Sequence, residues 1–527
     1  MWNKGHMGRK ARAGGAALLV LSAAPALAER PISAIDWLSD PLETPVVLPP
    51  VSGTGGMADE PGIAPTAASD EIIVTSLDAP NLDAVGLLPG SVTGLPRDLW
   101  RASSSRDLIR LIHNLPNRNL PAIQGLIHTL LLAETDPPED STGDGRLFLA
   151  RIDRLLDDGA LEQAQAMLAQ AGNPTPEVFR RLFDTALLTG TEDTVCKLLR
   201  SRPDLAPGYG ARIFCLARGG DWQAAVLTLG TARALGIVSP AEDALLARFL
   251  DPHLFEGEPP LPPPARVTPL VFRMHAAIAE HLPTAPLPLA FAHADLGPNS
   301  GWKARIEAAE RLARNGAIGE SRLFGIYGEH QPAASGGVWD RVAVVQELDA
   351  ALHGADKAAV ATRLPPAWAA MRKAGLEVPF ARHYGARLAG LGLEGTAGAL
   401  AFRIGLLSPQ YEEIAAAASA SATGDDAFLA ALARGAPPPP RNTGPGGALE
   451  QAIRRGFGET ALPAQQVLLL QNGELGRVLL TIPALIRSGA AGDLGDLAGG
   501  LALLRHLGLE DIARQTALQV LLLQQET

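Results

Sequence analysis

Glu329, His330, Ser335 and Trp339 fall within thirteen residues, Gly328 to Asp340, a glycine-rich stretch between two helical patterns. A serine beside a histidine invites a nucleophile-and-base reading, because the imidazole can take the hydroxyl proton. No third partner and no oxyanion arrangement accompanies them, so the stretch reads as a hairpin connection or a partner contact. His293-Ala294-Asp295, with His275 and His281 upstream, offers nitrogen and carboxylate donors of the kind that hold a transition metal. Their spacing does not share one helix face, and Pro283, Pro286 and Pro288 break the segment, so a packed or capping histidine is the expectation. The chain has no H-E-x-x-H, no G-x-S-x-G and no G-x-x-x-x-G-K-[ST] pattern. Gly444-Pro445-Gly446-Gly447 follows a proline run, precedes no strand, and reads as linker. No catalytic residue, metal ligand or cofactor site is therefore expected.

Cys196 and Cys215 are the chain's two cysteines. One lies in the second helix of a predicted hairpin and the other in the first helix of the next, about equally far from the turn at Leu205-Ala206. Antiparallel neighbours bring them level, so they are placed either to pair or to pack as two buried thiols. Partner contact, where it occurs, is assigned to Trp222, Trp302, His330 and Trp339, which sit at helix starts or in the long loop.

The elements that must position these residues begin after a targeting signal. Lys4, Arg9, Lys10 and Arg12 precede an apolar stretch, Ala16 to Ala24, that ends in Ala26-Leu27-Ala28. This is the layout of a secretory signal cleaved before Glu29, too short for a comfortable membrane span. No cysteine lies near the cut, which excludes a lipoprotein of the bacterial kind. The expected location is the periplasm, soluble and without stable membrane insertion after cleavage. A net charge of −11 over 527 residues argues against a general nucleic-acid binder. An apolar fraction of 47% excludes a wholly disordered chain.

Proline runs divide the remainder. Residues 29–97 are rich in Pro, Gly, Ser, Thr and Asp and are expected to be poorly ordered, with Ile35-Asp36-Trp37-Leu38 and Ile72-Ile73-Val74 as short apolar exceptions. From about Asp98 the period becomes helical, as at Ile123, Ile127, Leu130 and Leu131. No segment alternates polar and apolar residues in β-rich composition, which predicts an all-α protein. The blocks are 98–255, a proline-rich linker at 256–268, 269–435, a Pro/Gly linker at 436–447, and 448–527.

Within these blocks a unit recurs. Gly159, Gly190, Gly220 and Gly508 each end one helix. Five residues on stand Ala164, Val195, Ala225 and Ala513, and four further Leu168, Leu199, Leu229 and Ala517. Glycine suits a left-handed helix exit, acidic residues after it suit the next helix start, and the small residue lets two helices approach. Gly220-Asp221-Trp222-Gln223-Ala224-Ala225 resembles the turn of the tetratricopeptide (TPR) family, and Ala171 and Ala232 fall where that family places a second small residue. The first three glycines lie about thirty residues apart, short of that family's period of about 34. The resemblance implies an α-solenoid that binds proteins or peptides on its concave face. An exported helical superhelix is also similar to the helical part of soluble lytic transglycosylases. There the lysozyme-like domain carries an E-S pair, and Glu320-Ser321 is the E-S pair here, without the glutamine motif expected after it. The expectation is thus a periplasmic α-solenoid of a Gram-negative bacterium that binds or scaffolds envelope proteins without catalysis, with an envelope hydrolase as the alternative.

Overall fold

The computed structural model describes residues 81–418, 424–437, 445–458 and 462–523. The stretch read as a signal peptide, 1–28, the segment from 29 to 80 and residues 438–444 lie outside these, while Pro445 to Gly447, read as linker, open helix Pro445–Phe457. The described residues are all-helical, and their one β-pairing is an isolated bridge between Leu88 and Ala133. No helix among them is long and apolar enough to cross a membrane.

The repeat glycines act as their spacing predicts. Gly159, Gly190, Gly220 and Gly508 have φ of 75°, 77°, 84° and 77°, a region that side chains disfavour. Behind each, the next residue's N–H reaches back to close the helix end. Ala160 N bonds Leu155 O at 2.8 Å, Thr191 N bonds Ala186 O at 2.9 Å, Asp221 N bonds Leu216 O at 3.0 Å and Leu509 N bonds Leu504 O at 2.8 Å. Ala164, Val195, Ala225 and Ala513 are all buried, as are Leu168, Leu199, Leu229 and Ala517. The same closure recurs after Gly316 and Gly473.

Helices Arg146–Asp157, Leu161–Gln170, Pro176–Thr189, Glu192–Ser201, Tyr209–Arg218, Trp222–Ala234 and Pro240–Leu250 pack in sequence order, each on the next. Elsewhere the packing departs from an ideal repeat stack, in which each unit touches only its neighbours. Helix Glu510–Leu523 packs on Pro121–Leu132, and the Gln519 side chain accepts from Ala122 N at 2.9 Å. Helix Leu475–Ala490 packs on Ser105–His113. A β-carbon on Gly476 would lie 2.2 Å from the Trp100 ring, so only glycine admits this approach. One core therefore joins Leu99 to Leu188 with Leu406 to Leu521. A second joins 292–407, and a third joins Phe179 to Met274. These cores do not follow the proline runs.

Residues 81–97 belong to the segment expected to be poorly ordered, yet they are ordered. Asp83 is buried and accepts from Phe148 N at 2.9 Å. The fully buried Arg151 guanidinium donates to the carbonyls of Val85, Leu131 and Ala133. The Pro/Gly-rich composition says nothing of a buried arginine 66 residues beyond Val85 that holds the backbone there. Burial lowers the Arg151 pKa to about 10, leaving it charged at neutral pH.

Candidate functional site

Three of the four residues assigned to partner contact come together. The Trp302 ring is 5.1 Å from Trp339 and 5.3 Å from His330, and its indole N–H donates to Ile326 O at 2.7 Å. The loop holding His330 is tied down at both ends. Arg305 forks onto Glu329, Gln346 Nε2 donates to the carbonyls of Tyr327 and His330, and Gly336 N donates to Asp340. His330 is exposed while both tryptophans are half-buried. Among the described residues no hydrogen bond joins Ser335 to His330, so the nucleophile-and-base pair is not assembled.

Trp222 stands apart from this cluster, with its ring 6.2 Å from Phe249. It opens a helix whose outer face is unusually apolar. Trp222 is 46% exposed, Val226 57%, Leu227 73% and, just beyond the helix, Leu235 53%. Gly230 lies between them with open space around it. Arg233 is the one charged residue of the helix and is paired with Asp243. Beneath this face, Cys196 and Cys215 are joined in a disulfide with Cα atoms 4.9 Å apart, linking the Glu192 and Tyr209 helices.

The histidines considered as metal ligands are dispersed. His293 is buried with Nε2 2.6 Å from Gly159 O, and burial depresses its pKa. Asp295 accepts instead from Thr284. Among the described residues no cluster of three or more His, Cys, Asp or Glu is arranged around a metal position. Glu320 lies in the first turn of helix Glu320–Tyr327 and lines neither of the two described cavities.

A cavity of about 1060 Å³ was not anticipated. Its floor is the Pro176 helix with Arg180, Phe183 and Asp184. Its walls are the starts of the Tyr209 and Pro240 helices and helix Pro269–Ala277, and the run Leu261 to Arg266 lies along its edge. That run is the linker of the sequence reading, and side chains hold it in place. Arg248 donates to Pro259 O at 2.9 Å and pairs with Glu258 and Glu280, while Leu261 N donates to Glu280 at 3.0 Å. Asp184 is 8% exposed. Burial raises its pKa from 3.8 to about 7, against the pull of Arg180 and Arg181 in the opposite direction. Arg181 is committed to Asp153 and Glu177 at 2.6 and 3.0 Å. His275 is buried in the same wall, its Nδ1 without a hydrogen bond and 3.8 Å from Glu280, and burial lowers its pKa. Nothing in the sequence marked Asp184, because an acid one turn after two arginines on a helix reads as an ordinary exposed ion-pair pattern.

No protein-family model matches the chain, and neither a curated protein nor a solved structure matches it.

Proposed function

We propose that this chain is an exported, TPR-like helical-repeat protein of a Gram-negative envelope that binds or scaffolds other envelope proteins and performs no chemistry itself. The observation that carries this reading is the outer face of the Trp222 helix. Four of the seven large apolar side chains left exposed among the described residues fall between Trp222 and Leu235. A cluster of this kind, on a helix that buries only Ala225, Leu229 and Ala232, marks a surface that gains by being covered. Its single charge is already paired, so the matching partner surface is apolar and uncharged. The Cys196–Cys215 disulfide supports an oxidising compartment. The apolar stretch before Glu29 supports export.

The test is affinity capture from envelope extract with the mature chain and with a Val226→Asp, Leu227→Asp double variant. Both substitutions lie on the exposed face, so the variant retains its helical circular dichroism. One envelope protein held by the parent and released by the variant supports the proposal. Equal capture by both chains, or no capture over a control periplasmic protein, removes its basis.

A further inference from the structure

Helix Trp222–Ala234 turns one uncharged stripe outward. Gln223, Leu227, Gly230 and Ala234 recur at steps of four, three and four, so they line up along one side of the helix, and all four are exposed. The buried side, Ala225, Leu229 and Ala232, lies opposite. Leu227, 73% exposed, stands out from the stripe, while open space surrounds Gly230 where a side chain would be. A protrusion and a gap therefore sit one turn apart, the relief by which packed helices interlock. Val226 and Leu235 add exposed apolar surface on either flank.

Charge narrows the choice of what covers this stripe. The chain carries −11 overall, so two copies repel where their general surfaces approach. The stripe has no charge of its own, and Arg233 beside it is held by Asp243 at 2.7 Å. A second copy can approach here without meeting its own sign. The stripe also matches itself. In a two-fold pair each surface meets its own copy, so protrusion and gap must both belong to one patch. With the helices antiparallel and the axis level with residues 228 and 229, each Leu227 falls opposite Gly230 of the other copy, and each Gln223 opposite its Ala234. Antiparallel helices also set the positive start of one dipole beside the negative end of the other.

We propose that this stripe pairs with a second copy of the chain, in a two-fold antiparallel dimer that seats Leu227 of each copy over Gly230 of the other. The inference rests on reading the Trp222 face as a surface that is covered, and it names a surface that covers it. The helix has 13 residues and is about 20 Å long. That is short for a permanent interface, so the pair is weak and reversible, with a Kd on the order of 10 µM. A pair this weak leaves the face open to other proteins at low chain concentration.

Sedimentation equilibrium of the purified mature chain, from about 1 to about 200 µM, reads the pairing with no other protein present. Two single substitutions test the stripe. Leu227→Asp puts a charge on the protrusion and is expected to weaken the dimer by at least about tenfold. Gly230→Met fills the gap with an uncharged side chain and is expected to weaken it as much. In the single chain that side chain enters open space, and methionine favours helix over glycine, so this variant's urea midpoint equals or exceeds the parent's. A parent that dimerises, with the dimer weakened in both variants, supports the proposal. A parent that stays monomeric throughout the range, or a dimer that either substitution leaves unchanged, overturns it. A monomeric chain that still captures an envelope protein removes this assignment alone and leaves the scaffold reading standing.

Discussion

Replacing Asp184 with asparagine is expected to make the protein more stable, by an amount that grows with pH. Asparagine keeps the shape and removes the ionisation. In the unfolded chain the aspartate ionises near its ordinary value of 3.8, and in the fold burial holds its proton to about pH 7. Below about pH 4 both states carry the proton, and the group contributes nothing to the balance. Between about pH 4 and pH 7 the unfolded chain gives up its proton while the folded chain keeps it, so the parent loses stability as pH rises. Above about pH 7 both states are ionised and the loss is complete. At about 1.4 kcal/mol per pH unit the full loss is about 4 kcal/mol, and the asparagine variant is spared it. Urea unfolding of both chains at several pH values, followed by circular dichroism, gives the difference directly. It is expected to climb from acid to neutral pH in favour of the variant and then level off. A difference that stays flat with pH, or a variant that falls behind the parent in alkali, refutes the reasoning. Either result means that burial does not hold the Asp184 proton in the folded protein.

Two further outcomes follow from the repeat. Reducing the Cys196–Cys215 disulfide, whose cysteines are 19 residues apart, is expected to lower stability by about 3 kcal/mol. The Cys196→Ser, Cys215→Ser chain is expected to show that lower stability and to ignore reductant, which unfolding with and without dithiothreitol reads. Gly220→Ala and Gly159→Ala separate backbone strain from crowding. Gly220 has a left-handed φ and open space, so its alanine costs about 1 kcal/mol. Gly159 shares the φ, but its new methyl would lie 2.8 Å from Leu289, which adds about 1–3 kcal/mol. Equal urea midpoints for the two variants would contradict the crowding.

Much of the local structure was legible because it is written in local chemistry. A glycine that must take a left-handed φ, followed five residues later by a small or β-branched residue, gives the hairpin without any knowledge of the rest of the chain. Gly159, Gly190, Gly220 and Gly508 show the same closure despite sharing little other sequence. Apolar period likewise marked helix Pro121–Leu132, through Ile123, Ile127, Leu130 and Leu131. The candidate site was hidden for the opposite reason. Asp184 gains its character from burial under helices that begin at 209, 240 and 269, and helix period alone does not say which polar position a distant element will cover.

The sequence by itself determined the helical class, the turns and the near absence of charge on the Trp222 helix face. These depend on backbone preference and side-chain period within a few residues. Tertiary structure alone decided that residues 81–97 are pinned by Arg151 and that Gln519 reaches Ala122. It alone made a proline run into one edge of a cavity lined by a buried aspartate. Each of these joins groups far apart in the chain, whose meeting is set by how whole helices share apolar faces. No local pattern encodes that choice, because the same amphipathic stripe packs equally well on many neighbours.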